Sequence, residues 1–326
     1  MKKLLATTAI VSVSLASAAL AETKVSGSIE QTFNSNSYDK AANQHKGTDS
    51  LGQETNVTFS SSKELDNGMK LDGAFRLEDS SIDMSMMKFS GENVSFTIGA
   101  DTGQTVATTI NPRVGDEAWN VTAVNASDSL SSFSSHDVQH VGVDFKAGGL
   151  NFNINYAPSS NGIGSGDSSN TDSGGSGTEY SVAGSPIEGL NILVGQQTIE
   201  GENTTTKDTK EKTYQISYGQ DAWAVGYSHR SFDDNDGSET AGTTDAVKYF
   251  SATFAASDTV SLGVQHITAT SEGSGTSAKD EETQSISVGY SLGPIGVEVM
   301  YAQTENAAHS SGDDQSGVQI RSVMKF

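Results

Sequence analysis

The stretch KVSGSIEQTF, residues 24–33, decides the architecture. Val25, Gly27, Ile29 and Phe33 fall on one side of an extended chain, and Ser26, Ser28, Glu30 and Thr32 fall on the other. Successive side chains of a strand point to opposite faces, so this alternation describes a strand with two different environments. The C-terminal segment repeats it, with Val318, Ile320, Met324 and Phe326 set against Gln319, Arg321 and Lys325. Segments of the same kind recur between the two, each about nine to eleven residues long, the length a tilted strand needs to cross a bilayer. A sheet can live in hydrocarbon only if it closes on itself and leaves no edge.

Reading apolar faces together with turn residues gives sixteen strands. Met69, Leu71, Phe75 and Leu77 mark the third, and Val94, Phe96 and Ile98 mark the fifth. Ile286, Val288 and Tyr290 face Ile295, Val297 and Val299 across the turn Gly293-Pro294. The connections sort by parity. After odd strands the gaps are long, at 35–52, 101–136, 157–177, 200–212, 232–245, 270–283 and 305–315, with 79–84 the one short exception. After even strands they are short and rich in Gly, Pro, Asn and Asp, the residues of tight turns. The expected fold is all-β: a 16-stranded antiparallel transmembrane β-barrel with short periplasmic turns and long extracellular loops. Tyr156, Tyr180, Tyr218, Trp223, Tyr227, Tyr290 and Tyr301 sit near strand ends, where aromatic girdles meet the two membrane surfaces.

The N-terminus reads differently. Lys2 and Lys3 precede an apolar run from Leu4 to Leu20, diluted by Ser12, Ser14 and Ser17 and closed by Ala19-Leu20-Ala21. This is the pattern of a secretory signal peptide, 1–21, cleaved before Glu22, and it leaves a single barrel domain, 22–326. Cleavage removes two of the 19 Lys+Arg and none of the 41 Asp+Glu, so the mature chain carries a net charge of −24. Such acidity argues against nucleic acid and favours cations as visitors. Hydrophobic residues are only 34% of the chain, which suits a barrel with a wet inner face better than a soluble domain of this length. With no cysteine in the sequence, a disulfide scaffold and thiol-ligated metals are excluded.

No catalytic constellation emerges, so the sequence is not read as an enzyme. The six histidines lie mostly in loops or near strand ends. His136 and His140 are four apart, which on a strand separates them by about 13 Å, too far for one ion. No phosphate-cradling glycine loop leads from a strand into a helix. The run Asp233-Asp234-Asn235-Asp236-Gly237 lacks the alternating ligand spacing and later Glu of a calcium loop. It reads as a solvated acidic loop, and the only cofactor left open is surface Ca²⁺ bridging such carboxylates.

The signal segment, the sixteen strands, the parity-sorted loops, the opening Lys24-Val25-Ser26-Gly27 and the terminal Phe326 together resemble the Gram-negative general-diffusion porins of the alphaproteobacterial type. The resemblance covers the whole mature chain and rests on architecture more than on one motif. It implies a homotrimer in the cell outer membrane, among its lipids and lipopolysaccharide, with the third loop folded into the barrel. It also implies that Phe326 is the assembly signal read by the barrel-assembly machinery, although Ser322 and Met324 depart from the residues usual there. The third loop corresponds to 101–136 and carries Asp101, Asp116, Glu117 and Asp128, with one base, Arg113. Alternation places Arg76, Lys88 and Arg321 on the inner wall. A basic wall facing an acidic loop implies a constriction with a transverse field.

The expected function is passive diffusion of ions and small hydrophilic solutes, with mild cation selectivity. A substrate-selective outer-membrane channel on the same fold, and a β-rich surface or adhesive protein, remain as alternatives. The processing site is directly testable: N-terminal sequencing of the membrane-extracted protein should begin at Glu22, and the protein should shift its gel mobility on heating. Retention of Met1 would refute the assigned cleavage.

Overall fold

The computed structural model describes residues 22–39, 48–79, 81–100, 106, 108–115, 118, 121, 139–158, 176–200, 208–234, 244–271 and 279–326. Sixteen strands follow one another: β1 Glu22–Asp39, β2 Thr48–Glu64, β3 Lys70–Glu78, β4 Ser81–Ser90, β5 Val94–Ala100, β6 Gln139–Ala147, β7 Leu150–Ala157 and β8 Gly177–Ile187. They continue as β9 Leu190–Ile199, β10 Thr209–Gln220, β11 Trp223–Asp234, β12 Ala246–Ala255, β13 Val260–Thr270, β14 Glu281–Leu292, β15 Ile295–Glu305 and β16 Asp314–Lys325. A short 3₁₀ turn, Ala307–His309, precedes β16. Each strand pairs with its sequence neighbours, and β1 pairs antiparallel with β16, which closes the barrel.

Burial runs opposite to that of a soluble protein. Along β14 the polar residues Thr283, Ser285 and Ser287 point inward and are buried, while Ile286, Val288 and Tyr290 point outward. Ile286 is 59% exposed and Ser287 only 1%. The same holds around the wall, with Phe152 and Ile154 on β7, Tyr214 and Ile216 on β10, and Phe250 and Phe254 on β12 all facing out. An apolar exterior over a polar interior is the arrangement that hydrocarbon outside and water inside demand.

β1 and β2 outrun the sequence reading, which places a gap at 35–52. Their ladder stays paired to Asn36↔Thr48, leaving only 40–47 between them. Beyond Phe33 and before Leu51 both faces are polar, so the alternation that reveals a strand fades while the backbone ladder continues. Pro186 lies within β8, where the register shifts between Gly184 and Ile187. Gly184 has φ +148° and an added Cβ would lie 3.0 Å from Leu150 Cα, so the close strand approach there admits only glycine.

The closure is sealed at its end by the terminal residue. Phe326 and Gly27 exchange two backbone hydrogen bonds of 3.0 Å. A Cβ at Gly27 would press on the Asn56 carbonyl oxygen and lie 2.7 Å from Cζ of the Phe326 ring, so the missing side chain leaves room for both the ladder and the ring. Gly27→Leu should displace the ring and lower stability by about 1–3 kcal/mol. Gly73→Leu is the control, since the nearest atom to a Cβ there is 3.9 Å away. Urea unfolding of the heat-modifiable species should separate the two variants; equal midpoints would sink the seal.

Candidate functional site: the barrel lumen

The described part of the connection between β5 and β6 runs inside the barrel, along the wall formed by β9 to β16. Small wall residues make its bed. An added Cβ at Gly195 of β9 would lie 2.7 Å from Val106 Cγ2, and one at Gly226 of β11 would lie 2.5 Å from Pro112 Cδ. Val114 lies over two glycines, 3.0 Å from a Cβ position at Gly263 of β13 and 2.9 Å from one at Gly289 of β14. Gly115, with φ +85°, turns the chain beside Met300 and Glu298 of β15. A glycine on the inner face of a strand marks a place where another backbone comes close.

Side-chain amides of the wall complete the loop's hydrogen bonds. Ile110 N–H donates to Gln215 Oε1 at 2.8 Å, and Gln215 Nε2 donates to the Thr108 carbonyl at 2.6 Å. Ala118 N–H donates to Gln265 Oε1 at 3.1 Å, an oxygen that also accepts the Tyr249 hydroxyl at 2.8 Å. Asn111 Nδ2 reaches Ser228 Oγ at 3.0 Å. Ala118 and Val121 bury themselves against Val247, Tyr249, Ile267, Ala269, Met300 and Ala302. A buried loop must find partners for its backbone groups, and here glutamines on β10 and β13 supply them.

Charged side chains of the wall pair with one another across the lumen face. Arg321 donates to Glu30 through Nε at 2.7 Å and Nη2 at 2.5 Å, and to Glu298 through Nη1 at 2.9 Å. Its fork thus joins β1, β16 and β15 across the closure, beside Gly115 of the loop. Lys88 pairs with Asp144 at 3.2 Å, whose oxygens also accept from Ser95, Asn151 and Asn153. Lys70 pairs with Asp72 at 2.9 Å. A further inward row, Asn155, Glu179, Gln197 and Glu211, is buried across β7 to β10.

The expected basic residues Arg76, Lys88 and Arg321 all take lumen-facing positions, opposite Thr58, Asp72 and Glu298 respectively. They occupy three different rows, and Lys88 and Arg321 are matched by wall carboxylates, so they form no continuous basic strip. Asp101, Asp116, Glu117 and Asp128 lie outside the described residues. Glu30, Glu298 and Asp144 are the members that sequence reasoning missed. Alternation marked Glu30 as inward-facing, but its pairing with Arg321, 291 positions away, depends on which strands close the barrel.

The profile of the Gram-negative porin family matches residues 6–321. The chain belongs to that family. Solved porins share its fold. A triple mutant of the porin of Rhodopseudomonas blastica is 12% identical, with 94% of this chain and 100% of that chain covered at a TM-score of 0.63. A second triple mutant of the same porin, at 10% identity and the same coverage, has a TM-score of 0.61. An engineered protein solved for asymmetric conductivity is 11% identical, again with 94% and 100% covered, at a TM-score of 0.64. No curated protein sequence matches the chain.

As a porin the protein is an outer-membrane diffusion channel, and its lumen chemistry becomes pore chemistry. Arg321 with Glu30 and Glu298 leaves one net negative charge beside the loop. Removing the guanidinium uncovers both carboxylates. Arg321→Ala should therefore move the zero-current potential in a salt gradient toward greater cation preference, most at low salt, where screening is weakest. An unchanged or anion-directed potential would show that ions do not feel this cluster.

Proposed function

We propose that this porin is a general-diffusion channel for ions and small hydrophilic solutes, mildly cation-selective, with its filter where the connection between β5 and β6 crosses the lumen. What supports the reading is the seating of the described residues 106, 108–115, 118 and 121 inside the barrel, against the wall from β9 to β16. A segment held there narrows the water path, and the charges lining the narrowing act through less screening water than surface charges do. Asp116 and Glu117 directly follow Gly115, the residue beside Glu298. On this reading the two acids add to the Glu30–Arg321–Glu298 cluster, and Asp101 and Asp128 line the approach. Arg76 and Lys88 bound the opposite side of the passage.

The mature charge of −24 supports the cation preference by raising the local cation concentration within a Debye length of about 8–10 Å. The native assembly is a homotrimer in the outer membrane, reached after signal cleavage and with Phe326 as the handle for barrel assembly. Family membership and the terminal seal of Phe326 on Gly27 support that reading.

Two double variants test the filter in planar bilayers. Asp116→Asn with Glu117→Gln should shift the reversal potential toward anions far more than Asp233→Asn with Asp234→Asn, which removes equal charge from the end of β11 and its outer loop. Equal shifts would mean that selectivity comes from overall charge and not from the loop.

A further inference from the structure

Arg113 is the one Lys or Arg in the connection between β5 and β6, and the seat of that segment rests on its neighbours instead. Pro112 and Val114 on either side press into the glycine gaps of β11, β13 and β14, while Arg113 is exposed. It borders a cavity of about 470 Å³ that reaches the short turn between β10 and β11. The chamber therefore lies on the periplasmic side of the crossing segment. The inward residues of its wall are small: Gly219, Ala224, Thr253, Ala255 and Ser261. Thr253 of β12 lies opposite Gly263 of β13, and Ser261 lies opposite Ala255. The two hydroxyl residues are thus diagonal neighbours on one face, with Cβ atoms about 7 Å apart. Neither hydroxyl has a hydrogen-bond partner among the described residues.

A guanidinium is a planar fork of five N–H donors, more than one partner uses, and it meets a carboxylate with two parallel hydrogen bonds. The two hydroxyls donate as well, and one carboxylate can bridge their spacing when each bond is about 2.7 Å. The charge nearby sets the valence of the guest. The chamber's lining carries one cation, Arg113, and one carboxylate, Asp221, and Glu298 lines the adjoining cavity. A divalent oxyanion meets twice the repulsion from these acids that a single carboxylate meets. We propose that the chamber is a subsite for small monocarboxylates, gripped by the Arg113 fork and steadied by Thr253 and Ser261. In a pore built from a strongly acidic chain, this foothold gives organic anions a step through a field that otherwise disfavours them. The subsite rests on the diffusion-channel reading but not on the cation preference of the filter.

Reversal potentials in planar bilayers, under gradients of potassium acetate and of potassium chloride, give the acetate-to-chloride permeability ratio. Wild type should show a ratio above that of the two ions' mobilities in water. Arg113→Gln should lower it roughly twofold to threefold, part of the tenfold or more that a charge-assisted hydrogen bond contributes to affinity. Arg113→Lys keeps the charge and loses the fork, so its ratio should fall close to that of Arg113→Gln. Thr253→Val with Ser261→Ala changes the wall and leaves the crossing segment's sequence alone, and its ratio should fall too. An unchanged ratio in Arg113→Gln overturns the subsite, as does full retention in Arg113→Lys or in the wall variant. So does a greater loss for phosphate than for acetate when the same variants are run in potassium phosphate. The potassium-to-chloride ratio of the wild type reads the filter separately. Anion preference there defeats the cation filter and leaves the acetate ratio standing, whereas a wild type that does not conduct defeats the channel reading itself.

Discussion

Hydrocarbon offers no hydrogen bonds, and everything else in this protein follows from meeting that constraint. Sixteen strands must end where they began, so β1 pairs with β16 and the last residue bonds back to Gly27. Once the backbone is satisfied within the wall, the outward side chains need only be apolar and the inward ones only wettable. This explains how a chain of 34% hydrophobic residues builds a stable membrane protein. Its apolar side chains are spent on one face of each strand, and no separate core of the usual size is needed.

The same closure encloses a polar lumen. The described part of the connection between β5 and β6 lies inside because the wall accommodates it on one side. Glycines at 195, 226, 263 and 289 let it approach, and Gln215 and Gln265 take over its backbone hydrogen bonds. The loop is held by the chemistry of a protein interior, with a small apolar cluster behind Ala118 and Val121, while the facing wall keeps the chemistry of a wet surface. Wall charges pair locally, with Glu30 and Glu298 on Arg321 beside the loop and Asp144 on Lys88 on the facing side.

The sequence by itself determined the strand count, the faces of the strands, the parity of the loops and the membrane setting. These depend on period-two alternation and turn residues, which are local properties readable within ten residues. Even there, β1 and β2 ran longer than the pattern showed, because a ladder can continue where both faces are wet. What only the tertiary structure decided is which charges meet. Arg321 and Glu30 lie at opposite ends of the chain, and their contact exists because closure makes the first and last strands neighbours. The seat of the loop was likewise hidden: an inward glycine looks like any other strand glycine until the segment that fills its missing side chain is in place. Local periodicity encodes the wall, but the pairing of distant residues is a property of the closed ring.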